Sequence, residues 1–117
     1  MERTRIYIDN NKGPEISVAD SYFLRLRGLI GRSAAELGGL MIKPCNSIHT
    51  FFMKEAIDVV YLDREGLVLR VDRVVEPSRI CRSERKAKAV LELPCGMAEE
   101  LMIFKGSTIS AQKRFCK

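Results

Sequence analysis

His49 is the one side chain in this sequence whose ordinary pKa lies near neutrality. It sits in the stretch Ile48-His49-Thr50-Phe51-Phe52-Met53. Read as extended backbone, that stretch puts His49, Phe51 and Met53 on one face and Ile48, Thr50 and Phe52 on the other. An imidazole between aromatic and thioether walls could give or take a proton inside a pocket. It could also be a core histidine bonded to a backbone carbonyl. Two carboxylates interrupt apolar segments further on: Asp58 between Ile57 and Val59, and Glu92 between Leu91 and Leu93. Each is costly to bury without a partner. Each is therefore an acid–base partner for His49, a carboxylate held by an arginine such as Arg27 or Arg32, or a solvent-facing group at a strand edge. The candidate site is His49, Thr50, Phe52, Met53 and Asp58, with Arg27 and Glu92 as charged neighbours.

Other chemistries find less support. The four cysteines, Cys45, Cys81, Cys95 and Cys116, form no C-x-x-C pair, and His49 has no second histidine. Zinc needs paired ligand spacing, so neither a metal nor a cofactor is expected. Free thiols are the default in a chain large enough to have a core. Cys45 lies near His49, but the pair lacks the local signature of a cysteine nucleophile. Cys81, in a polar segment, is expected to be the most exposed thiol. The glycines of Arg27-Gly28-Leu29-Ile30-Gly31-Arg32 do not have phosphate-loop spacing, and no Lys-Ser or Lys-Thr follows them. Met41, Met53, Met97 and Met102 read as adaptable core filler.

The elements that must position these residues are mostly strands. Arg5–Ile8 and Glu15–Val18 read as a hairpin joined by the turn-forming run Asp9–Pro14. A helix is expected after a cap at Asp20 or Ser21, ending near Gly28–Gly31. A further turn is expected at Ser33–Glu36. Leu40–Ile42 is a short strand. Ile57–Asp63 is apolar on both alternating faces, as in a strand covered on both sides. Asp63-Arg64-Glu65-Gly66 is a hairpin turn, and Leu67–Val75 is the returning strand. Glu76–Lys86 reads as a long polar loop, Ala87–Leu93 as a strand, Met97–Phe104 as one or two helical turns, and Thr108–Ala111 as a last strand. No repeat or linker divides residues 1–117, so one domain is expected.

The chain has 117 residues and a net charge of +5. The densest basic run is Arg79–Lys88, read chiefly as a solvated loop rather than a nucleic-acid patch. With no Trp and three Tyr, stacking platforms for single strands are scarce. The N-terminus does not read as a secretory signal. No stretch approaches the roughly 18 apolar residues of a membrane span. A cytoplasmic monomer is the expectation.

Beyond these local features, an ordered set of segments resembles a known family. It comprises Arg27–Arg32, Gly39-Leu40-Met41, Ile48–Lys54, Ile57–Asp63, Val90–Gly96 and Gly106-Ser107. In order and spacing, from about Tyr22 to Ile109, they resemble the widespread uncharacterised "domain of unknown function 192". The resemblance implies a compact, mainly β barrel or sandwich with one or two short helices, and no agreed reaction. Many relatives carry an N-terminal signal or lipoprotein segment, which this sequence does not show. Relatives often have a small residue at Cys95 and Met at Ile30, departures that read as packing variation.

Three functional readings follow. The first is a non-catalytic accessory domain that binds a small ligand or partner segment around residues 48–58. The second is a hydrolase or isomerase using His49 with Asp58 or Glu92. The third is weak polyanion binding through residues 79–88.

Overall fold

A computed structural model describes residues 2–21, 38–51 and 53–111. These form β1 (Glu2–Ile8), β2 (Asn11–Ala19), β3 (Leu40–Ile42), β4 (Ile57–Leu62), β5 (Val68–Val75), β6 (Ala89–Pro94), α1 (Met97–Glu100) and β7 (Ile109–Ser110). All seven strands share one sheet in the order β5-β4-β6-β3-β2-β1-β7. Neighbours are antiparallel except β2 and β3, which run parallel. The helix expected after Asp20–Ser21 and the Ser33–Glu36 turn fall outside the described residues.

The sheet curls until its two ends meet. Leu67, just before β5, bridges Thr108, just before β7. The Val68 N–H donates to the Ser107 carbonyl at 2.8 Å, and the Ile109 N–H to the Gly66 carbonyl at 2.8 Å. Gly66 makes this approach possible, because a Cβ there would collide with the Ile109 carbonyl oxygen. The result is a half-barrel fastened at one end, in line with the expected mainly β, compact single domain.

Two cores follow from the two faces of the sheet. The face enclosed by the curl gathers Ile6, Ile8, Ile16, Val60, Leu62, Leu91 and Leu93, closed below by Ala98 and Ile103. The opposite face gathers Leu40, Ile42, Ile57, Val59, Tyr61 and Val90, with Ile48 and Met53 packed on it. Strand β4 is buried along its whole length because it contributes alternately to both cores. Its hairpin with β5 forms at the expected turn. There Asp63 Oδ1 accepts the N–H groups of Glu65 and Leu67 at 2.8 and 2.9 Å.

The first hairpin is tighter than expected. Asp9 and Asn10 alone make the turn, with φ of 50° and 69°. A two-residue turn of this kind matches the twist of its flanking strands, and Asp and Asn tolerate it. Gly13 and Pro14 therefore belong to β2, where the register slips by one residue.

Candidate functional site

The described residues of this segment, 48–51 and 53, do not form a strand. His49 makes a single antiparallel bridge to Ile80, and the chain then turns, with the Met53 N–H donating to the Thr50 carbonyl at 3.3 Å. The expected alternation of faces is lost at that turn. His49 and Phe51 stack in solvent with ring centroids 5.0 Å apart, and the Phe51 N–H donates to His49 Nδ1 at 3.3 Å. Met53 is half-buried against the second core.

Thr50 is buried and locks the long loop to this segment. Its hydroxyl donates to the Glu76 carbonyl at 2.7 Å and accepts the Arg79 N–H at 2.8 Å. Its backbone N–H donates to the Arg79 carbonyl at 2.8 Å. The Cys81 N–H donates to the Ile48 carbonyl at 3.0 Å, and the Glu84 N–H to the Asn46 carbonyl at 2.9 Å. The loop from Glu76 to Lys88 is thus tied at several points along its length. Ile80, directly opposite His49, is left 78% exposed.

Asp58 lies in the half of β4 that faces the enclosed core, where it serves the backbone. Its Oδ1 accepts the Val74 N–H at 3.1 Å, and its Oδ2 accepts those of Gly96 and Ala98 at 3.0 Å each. Val74 sits at a bulge in β5 with φ of 54°, a conformation rare for a β-branched residue. Gly96 precedes α1, whose own N-cap offers no side chain. One carboxylate therefore holds both a strained bulge and a helix start.

Glu92 points to the other face. Its register partners are Leu40 and Val59, both in the second core. The side chain is 1% exposed, and among the described residues its Oε2 meets no hydrogen-bond partner. Burial pushes its carboxyl up to about 8. On the same face, the Tyr61 hydroxyl lies beside Arg70 and the Cys81 thiol without a well-formed hydrogen bond to either. Burial raises both the phenol and the thiol. Arg70 covers this group, its guanidinium carbon 3.9 Å from the Tyr61 ring centre. It donates to both Asp72 carboxylate oxygens at 3.1 Å, to Glu84 Oε1 at 3.3 Å and to the Arg82 carbonyl at 2.6 Å.

His49 makes no hydrogen bond or ion pair with either Asp58 or Glu92, and the two carboxylates belong to opposite faces of the sheet. Arg27 and Phe52 lie outside the described residues. Cys81 corrects an expectation: it is buried, whereas Cys95 is exposed and Cys45 half-buried. The loop that carries Cys81 is polar in sequence, yet its backbone bond to Ile48 draws the thiol against the sheet. Arg70 was missed because its partners come from β4, β5 and the loop, and no local pattern connects them. Among the described residues, no three His, Cys, Asp or Glu side chains gather as metal ligands.

A curled seven-stranded sheet with two cores and a tied loop along one rim is the class of fold this chain adopts. The chain belongs to the family DUF192, "Uncharacterized ACR", whose model matches residues 4–111. It is 33% identical over 91 residues to a UPF0127 protein of Thermococcus sibiricus, covering 74% of this chain and 58% of the relative. The UPF0127 protein of Pyrococcus horikoshii is 34% identical over 92 residues, 74% of this chain and 78% of its own length. Two crystal structures share the fold. A protein of unknown function from Novosphingobium aromaticivorans superposes with a TM-score of 0.75 over 92% of this chain and 83% of its own, at 18% identity. A Sinorhizobium meliloti protein, named a "putative transcription regulator", reaches 0.76 over 93% of this chain and 92% of its own, also at 18% identity. No described helix is long and apolar enough to cross a membrane.

Proposed function

We propose that this domain is a non-catalytic binding module whose site is the rim around residues 48–58. It takes a small ligand or short partner segment that offers apolar or aromatic groups. The observation that carries this reading is the exposed His49–Phe51 stack beside Ile80. Residues opposite one another in an antiparallel bridge project to the same side, so ring and aliphatic surface meet there. The Thr50 bonds hold the backbone beneath them, which lowers the ordering cost of binding. The module is taken to act as a cytoplasmic monomer.

A fragment library screened by NMR against the full chain tests this. Shifts are expected to cluster at residues 48–58 and Ile80. The double substitution F51A/I80S should remove them, with I80S alone weakening them at a nearly unchanged melting temperature, since Ile80 is 78% exposed. Shifts scattered over other surfaces would count against the rim. An acid–base activity has one feature in its favour, the Glu92 carboxyl poised near neutrality. His49 makes no hydrogen bond or ion pair with it.

A further inference from the structure

A concavity of about 460 Å3 opens between β5, the loop at Arg82–Glu84 and the turn after α1. Its apolar lining comes from buried Ile103, of the enclosed core, and half-buried Leu69, packed on the second core. Its walls carry Arg73, Arg82, Phe104 and Lys105. Arg70 and Glu84 also line it, but they are paired at 3.3 Å. The other cations are poorly neutralised. Arg73 meets Glu99 only at 3.8 Å, where both side chains are solvated. Arg82 and Lys105 have no carboxylate partner among the described residues.

The groove also holds a flat apolar surface. Phe104 is 49% exposed, and the Arg73 guanidinium lies 5.5 Å from its ring centre. Its backbone is fixed from both sides: the Phe104 N–H donates to Ser107 Oγ at 3.0 Å, and the Ser107 N–H to the Phe104 carbonyl at 2.9 Å. Arg82 is fixed through its carbonyl, which accepts from Arg70 at 2.6 Å. An aromatic ring on a fixed backbone, beside Arg82 and Lys105 and the loosely paired Arg73, fits a ligand that has a flat ring at one end and anionic oxygens at the other. Guanidinium groups match phosphate oxygens in pairs, and a phenyl face accepts a stacked base.

We propose that this groove binds a ring-bearing organic phosphate of the nucleoside-phosphate class. The ring stacks on Phe104, and the phosphates meet Arg73, Arg82 and Lys105. The groove shares no lining residue with the His49 rim and does not depend on that reading.

The test is an NMR titration of the full chain with ADP at low ionic strength, alongside inorganic pyrophosphate and a short dT oligonucleotide. ADP shifts are expected at residues 69–73, 82–84 and 103–105. The R82A/K105A variant should weaken both ADP and pyrophosphate by about tenfold or more, since each loses charge-assisted bonds. F104A should weaken ADP and leave pyrophosphate unchanged. All three side chains are exposed, so folding is preserved, and an unchanged amide spectrum outside the groove verifies it. The proposal is overturned if ADP shifts fall elsewhere or never saturate by about 10 mM, or if the substitutions leave ADP affinity unchanged. It is also overturned if the oligonucleotide saturates the groove where ADP does not, which would assign the cations to a nucleic-acid strand.

Discussion

Two carboxylates, similar in sequence context, end in opposite situations. Asp58 accepts three backbone N–H groups, and Glu92 Oε2 accepts none among the described residues. Replacing Asp58 with Ala strands the amides of Val74, Gly96 and Ala98, at a cost of roughly 3–5 kcal/mol. Asp58→Asn, which keeps an acceptor, should lose less. Urea unfolding measures both, and a loss under about 1 kcal/mol for the Ala variant would contradict the role assigned to Asp58. Glu92 acts through protons. Its carboxyl is raised from 4.5 to about 8, so between those values the folded state keeps a proton that the unfolded state has released. Stability must then fall as pH rises through that window, by a few kcal/mol in all. Glu92→Gln should flatten the fall, as judged by melting temperatures at the two ends of the window. A variant retaining the full slope would show that other groups cause it. The sequence marks both residues as anomalies in apolar strands. It does not show which is satisfied, because the partners of Asp58 lie 16, 38 and 40 residues away.

Elements built from local signals were readable, and those dictated by distant contacts were not. The hairpin of β4 and β5 follows from apolar alternation and the turn at Asp63–Gly66, and both are present. The stretch 48–53 reads as extended because most of its side chains are β-branched or aromatic. In the fold, Thr50 bonds to residues 76–79 bend it instead. Three of the methionines expected as core filler, Met41, Met53 and Met97, do pack against the two cores. Met102 does not: it is 68% exposed and has φ of 56°. It ends α1, with the Met102 N–H donating to the Glu99 carbonyl and the Ile103 N–H to that of Ala98. Those two bonds define a helix stop whose left-handed residue is usually glycine. Met102→Gly should therefore stabilise the protein by up to about 1 kcal/mol, a rise of roughly 3–6 °C in melting temperature. No rise, or a fall, would mean that Met102 makes contacts worth more than its backbone strain.

At the scale of the whole molecule, the family and the mainly β architecture were legible because many weak segments recur in a fixed order. The match over residues 4–111 bears this out. The basic groove was not legible, since its walls come from β5, the long loop and the turn after α1. A run of charges such as Arg79–Lys88 shows where charge is plentiful in sequence, yet of that run's cations only Arg82 reaches the groove.

The clasp between residues 66–68 and 106–109 has a consequence for how the chain must assemble. Ile8 pairs with Ile109 across about a hundred positions of sequence, and such distant pairings make folding slow. During synthesis β1 and β2 can zip as soon as they are made, but β1 waits for its second neighbour until residue 109 has been added. Until then the backbone groups of residues 66–68 that the clasp will use also lack their partners. A released chain truncated before residue 106 should therefore stay protease-sensitive in β1 and β5, and one that includes residues up to 111 should become resistant.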